Sequence, residues 1–207
     1  MGALQSGVSA VLLLQDRSKV FPDIATSTGP LTSLDKLKLA ANNSVAFFTI
    51  SAVAIGAGFG QAINSPSGYG QEWGGYGKRF GANVGREASG NFFGTFLLAS
   101  AMREDPRFYV RKHLSFGESV KYAAVRLVIT RSDEGEQVVN CSGLIGPLLG
   151  EGLANAYYPE QNRTAGSTFT RYGTDMAWRF GGNLLRQYWP VINRRLRLAA
   201  EPGSETK

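Results

Sequence analysis

Small residues recur at four-residue spacing in four stretches, Ala52/Gly56/Gly60, Gly77/Gly81/Gly85, Ser142/Gly146/Gly150 and Gly173/Ala177/Gly181. On a helix, residues four apart lie one above another, so each set makes a smooth strip. A glycine inside a helix costs roughly 1 kcal/mol relative to alanine. Close backbone contact between helices recovers that loss. Such strips are favoured in membranes, where tight packing must replace the hydrophobic drive between helices. The expectation is an all-α protein of about five glycine-rich helices in a compact, membrane-associated bundle held through these twelve positions.

The 207 residues suffice for one domain with a core. The 26 glycines follow no collagen-like period and sit inside apolar segments, which argues against disorder. The net charge of +6 is compatible with acidic lipid, nucleic acid or plain solubility. The single cysteine, Cys141, lies in an apolar run and is expected to be a small buried residue. A disulfide framework within one chain is ruled out. Val8 to Leu14 resembles a short signal core but lacks a preceding Lys or Arg, so the expectation is a start after processing or a piece of something longer.

Residues 1–30 read as a loosely ordered lead-in, 31–190 as the helical domain and 191–207 as a basic tail containing Arg194, Arg195 and Arg197. The first helix is predicted to start at Thr32 or Ser33 and run to Ile63, where Asn64, Ser65 and Pro66 stop it. Its apolar part, Val45 to Ile63, is of membrane-spanning length. A Gly and aromatic loop follows at 67–76. Further helices are predicted over 76–102, over 115–130 with a Ser115/Glu118 capping box, over 139–158 with Pro147 kinking or interrupting it, and over 168–189.

No phosphate-binding loop, nucleophile elbow or zinc-helix motif occurs, and the run Val53 to Gly60 fails the dinucleotide-turn spacing. The lone His113 has no convergent ligands in its basic loop, so no metal or cofactor is expected. A non-enzymatic protein is expected. The charges that stand out are Asp175 with Arg179, one helical turn apart, and Arg86 with Glu87. Inside an apolar bundle they must be paired, line a wet interior or face a partner; the alternative is that their faces simply meet water, and Asp175/Arg179 is the candidate functional pair. Aromatic residues cluster at segment ends, at Tyr69, Trp73 and Tyr76, at Phe108 and Tyr109, at Tyr157 and Tyr158, and at Tyr188 and Trp189. They suit either a membrane interface or bundle-end packing. No nucleic-acid module accompanies the arginines, so nucleic acid is not an expected partner.

The pieces Gln61-Ala62-Ile63-Asn64-Ser65, Gly68-Tyr69-Gly70-Gln71, Gly75 to Gly81, Asp105-Pro106-Arg107, Tyr157-Tyr158-Pro159 with Arg163-Thr164, and Tyr188-Trp189-Pro190 resemble a family of uncharacterised bacterial envelope proteins. Some of its members carry a carboxypeptidase-regulatory-like β-domain ahead of this region. The resemblance implies an envelope location, with the outer membrane or periplasmic face favoured, and no established activity. The expected role is structural, membrane-organising or pore-like, with lipid and either a second copy or another envelope protein as partners. The alternative is a soluble helical bundle that binds an apolar ligand or lipid.

Overall fold

The computed structural model describes residues 18–200; the stretch Val8 to Leu14 and the end of the basic tail lie outside the described residues. Thr32 opens α1 (Ser33–Ser44) as predicted. Its hydroxyl accepts the Asp35 N–H at 3.2 Å while the Asp35 carboxylate accepts the Thr32 N–H, a reciprocal capping box. The continuous helix expected to Ile63 is broken: α2 (Phe47–Ala62) starts after two residues, bent 43° from α1. The cause is tertiary. The Phe47 N–H donates to the Lys19 carbonyl at 3.1 Å, so a distant segment satisfies part of the new N-terminus. Among the described residues no single helix is long and apolar enough to cross a membrane, and the bent α1–α2 pair passes that test only when its two helices are taken together.

α3 (Trp73–Asn91) begins inside the stretch expected to be loop and continues through a π-helical segment, Phe92–Leu98, into a last turn, Ala99–Ala101. Arg79, 2% exposed, fastens the loop before it. Its guanidinium donates to the carbonyls of Ser65 at 3.1 Å, Pro66 at 2.8 Å and Gly70 at 2.6 Å, and to the side chains of Asn64 and Gln61. α4 (Phe116–Val128) carries the predicted Ser115/Glu118 capping box.

α5 (Cys141–Ala154) holds Pro147 in its interior and runs on past it, so the proline does not interrupt the helix. Its first N–H groups are held from outside: the buried Glu104 carboxylate accepts from Cys141 at 3.2 Å and Ser142 at 3.0 Å, and Asn140 Oδ1 accepts from Gly143 at 2.9 Å. Cys141 is half-buried rather than buried. α6 (Ala165–Ala200) runs through Pro190, so helix replaces the first part of the expected basic tail.

A small antiparallel sheet, absent from the all-helical expectation, joins β1 (Glu104–Asp105), β2 (Ile129–Ser132) and β3 (Gln137–Val139) in that order. Asp105 stands opposite Arg131 and Thr130 opposite Val138. The β2–β3 turn uses Gly135 at φ +98°, a conformation costly for other residues. Residues 18–30 pack on this region: the Ala25 N–H donates to the Phe108 carbonyl at 2.9 Å, and Phe21 is 2% exposed.

The glycine strips are partly corrected. Ser142/Gly146/Gly150 packs helices: a Cβ at Gly150 would stand 2.9 Å from the Gly90 nitrogen, and one at Gly94 2.9 Å from the Ser142 carbonyl oxygen. A Cβ at Gly146 would overlap the Gly94 backbone. The contact face before α5 is therefore Gly90/Gly94, about one residue round the helix from Gly77/Gly81/Gly85. Gly77 and Gly81 meet nothing within 4 Å, and Gly85 meets only the Tyr157 ring end, at 3.2 Å. Ala52/Gly56/Gly60 lies toward α3 and the loop before it: a Cβ at Gly56 would stand 3.8 Å from the Asn83 side chain, and one at Gly60 2.6 Å from the Ser65 carbonyl oxygen and 3.3 Å from the Arg79 side chain. Gly173/Ala177/Gly181 does not pack within the chain. Gly173 and Gly181 have open space and Ala177 is exposed, because α6 turns its Asp175 and Gly182 face inward.

The interior is built of small and charged residues, and rows of large apolar side chains stand exposed among the surface charges. Seven of the thirteen described buried apolar residues are alanines, while Asp23, Lys36, Arg79, Glu104, Asp105, Arg107, Glu151 and Asp175 are all buried. Meanwhile Phe47, Ile55, Phe59 and Ile63 on one face of α2 are 57–67% exposed, and Ile145, Leu149 and Leu153 stand out along α5. The aromatic clusters divide: Trp73 is 90% exposed, whereas Phe108 and Tyr158 are core residues at 3%.

Candidate functional site: a charged interior between three helices

α3, α5 and α6 bring their charges to one place because the glycine contacts draw the backbones of α3 and α5 close enough for side chains to meet. Glu151 of α5, 1% exposed, accepts from Arg86 of α3 at 2.7 Å on one oxygen and from Arg171 of α6 at 2.8 Å on the other. Arg86 also pairs with Glu87 at 3.1 Å, and Arg179 with Asp175 at 2.7 Å. Glu87 and Asp175 are close enough for each charge to act on the other, which links the two sets. Arg171 lies 4.4 Å over the Tyr158 ring and donates to Asn155 Oδ1 at 2.7 Å. The sequence-predicted charges Arg86, Glu87, Asp175 and Arg179 are thus brought together. Glu151 and Arg171, which complete the network, were not anticipated, and neither stands out in sequence from any other helical Glu or Arg.

Electrostatics sort the two central carboxyl groups. Burial and the neighbouring Asp175 charge push Glu87 above the usual carboxylate range, against the pull of Arg86 and Arg179. Burial also acts to raise Asp175, but Arg179, Arg86 and the hydrogen bond from Glu87 outweigh it and hold it below that range. Of the two, Glu87 is the carboxyl group that takes up a proton first as pH falls. Burial disfavours charge on Arg86, yet Glu87, Asp175 and Glu151 together hold it well above its ordinary value.

A cavity of about 200 Å³ opens beside this network. Arg86, Glu87, Asp175 and Arg179 line it, with Asn83, Asn91, Asn183 and Thr95, and with Phe21, Phe48 and Phe108 at its apolar parts. The Glu87 and Arg179 side chains that line it are 19% and 32% exposed. Three buried lining atoms have no hydrogen-bond partner in the chain, Asn43 Oδ1, Arg86 Nε and Arg126 Nε, and buried polar atoms in that state call for water or ligand. Chemically the site offers guanidinium donors, amide groups and a carboxyl group held above its ordinary range. Among the described residues no set of three or more His, Cys, Asp or Glu is arranged to hold a metal ion, and His113 is exposed in its loop.

Comparison with protein-family models, with curated proteins and with solved structures returns no match for this chain. The site is therefore read from its own chemistry.

Proposed function

We propose that this chain is a non-enzymatic, lipid-facing helical protein of the bacterial cell envelope, self-associating, with a structural, membrane-organising or pore-like role. The observation that carries the reading is the inverted polarity: Lys36, Arg79 and Glu151 are almost wholly enclosed while rows of Phe, Ile and Leu face outward. Burying a large apolar side chain is worth about 1.5–3 kcal/mol in water, and exposed apolar patches of this extent mark interaction or membrane surfaces. Lipid contact or a second copy supplies that burial. The glycine contacts between α3 and α5 are the packing favoured between helices in lipid, and the family resemblance adds the envelope location.

The test is fractionation followed by lipid quenching. The chain is expected to stay with membranes through a carbonate wash, and brominated lipid should quench Trp73 and Trp178. Recovery as a monodisperse soluble protein without detergent overturns the reading. One observation favours a second one, a soluble bundle that carries a ligand: the interior cavity. Its charged lining suits a small polar guest better than an apolar one.

A further inference from the structure

A second groove, of about 640 Å³, runs between α4, β2 and the loop before α4 and shares Arg126 and Thr130 with the cavity beside the charge network. Four cationic side chains line it, Arg111, Lys121, Arg126 and Arg131, against one carboxylate, Glu118. That carboxylate is already engaged by the Ser115 N–H at 2.8 Å and the Ser115 hydroxyl at 2.7 Å in the cap of α4. Among the described residues none of the four cations has an ion-pair partner. Arg131 donates to the Gly135 carbonyl at 3.2 Å and Arg126 to the Ile129 and Arg107 carbonyls at 2.9 and 3.0 Å, while the Arg111 and Lys121 side chains donate to nothing among the described residues.

These groups are held in place. Gln187 of α6 clamps the Arg111 backbone from both sides, accepting its N–H at 3.1 Å and donating to its carbonyl. The Arg111 guanidinium lies 4.5 Å over the Tyr122 ring, and that of Arg131 4.6 Å over Tyr109. Arg126 is close enough to Arg111 to feel its charge: burial first, and that like charge in addition, lower its basicity against the pull of Tyr122 and Asp105. Its Nε–H is buried without a partner. Guanidiniums held in place on one groove wall, whose single lining carboxylate is engaged in a helix cap, are an arrangement that recognises a phosphate group.

We infer that this groove binds a phosphate group, taken from an anionic lipid headgroup or from a soluble phosphate ester. The lipid source rests on the lipid-facing reading above; the phosphate chemistry does not. The full chain is diluted from neutral detergent into vesicles of phosphatidylcholine, alone or with about a third phosphatidylglycerol, and recovered by flotation. In parallel its thermal midpoint is measured with glycerol phosphate. Arg111→Gln with Lys121→Gln is compared with Lys38→Gln with Lys78→Gln, a charge-matched control at exposed positions elsewhere.

Anionic vesicles should bind the wild type about 10- to 30-fold better than neutral ones. The groove double variant should lose that excess while keeping neutral-vesicle binding, and the control should keep both. A rise in midpoint with glycerol phosphate that the groove variant alone loses, without a vesicle preference, assigns the site to a soluble ester. If neutral vesicles are not bound while either phosphate effect persists, the lipid-facing reading fails and the phosphate site stands. Absence of both phosphate effects, or their equal loss in the control, overturns it.

Discussion

Gly94, beyond α3, and Gly146 in α5 occupy each other's side-chain space: a Cβ on Gly146 would overlap the Gly94 backbone. The contact continues along the helices, since a Cβ on Gly150 would come within 2.9 Å of the Gly90 nitrogen. Backbone cannot give way as a flexible side chain can. Gly146→Leu is expected to lower stability by at least about 1–3 kcal/mol, the cost of overpacking a filled contact. Gly81→Leu, facing open space, should leave the melting of the isolated chain almost unchanged. Thermal melts of the two variants check this, and equal behaviour would sink the contact.

Glu151 is the only carboxylate that bridges two arginines of this network. Glu151→Gln keeps the shape but leaves Arg86 and Arg171 without their shared counter-charge at a site 1% exposed. Removing one partner of a buried pair costs about 3–5 kcal/mol. Denaturant unfolding should show a loss of that order, and a loss below about 1 kcal/mol would mean that solvent reaches the pair.

Glu87→Gln distinguishes a proton-bearing Glu87 from an ionised one. Because burial and Asp175 push Glu87 toward its neutral form, the neutral glutamine should cost less than Glu151→Gln does. A cost like that of Glu151→Gln would show Glu87 ionised. At the Asp175–Arg179 pair, the single changes to Ala should each cost about 1–3 kcal/mol, less than for a fully enclosed pair because Arg179 is 32% exposed. The double change should cost less than their sum, measured as a double-mutant cycle.

Much of this was legible in sequence, and the gaps have physical causes. The caps at Thr32 and Ser115 are local hydrogen-bonding devices, written in adjacent residues, and both formed as read. The Ser142/Gly146/Gly150 strip was legible as a helical spacing of small residues, and it meets the Gly90/Gly94 backbone. Its partner was not: Gly77/Gly81/Gly85 and Gly90/Gly94 share one spacing, and which face meets a neighbour is a tertiary fact. The break before Phe47 has no glycine or proline to announce it, because its cause is the Lys19 carbonyl. The strands are two to four residues long, too short for alternation to outweigh the helical pattern around them. Within the site, Asp175 with Arg179 showed through their spacing, whereas Glu151 and Arg171 meet across two helices.

Asp105 and Tyr109 set the expected response to pH. The Tyr109 hydroxyl donates to Asp105 Oδ2 at 2.7 Å, and Arg107 donates to the same carboxylate from its Nε and a terminal nitrogen. Burial works to raise Asp105, but the Arg107 and Tyr109 hydrogen bonds hold it below the ordinary carboxylate range. Its contribution to stability is therefore complete above the unfolded value near 4 and is lost as pH falls through the lower folded value. Tyr109 shifts the other way, to about 12, through burial and through donation to Asp105. A phenol favoured in its neutral form contributes fully below about 10 and loses that contribution as pH rises toward 12. In alkaline titration followed by tyrosinate absorbance, Tyr109→Phe should remove one of the late-ionising phenols. In acid titration the same variant should move Asp105 toward its ordinary value, seen as a carboxyl shift by NMR. A wild-type Tyr109 that ionises near 10 would show that the phenol is not held by Asp105, and the acid-side shift would then be absent as well.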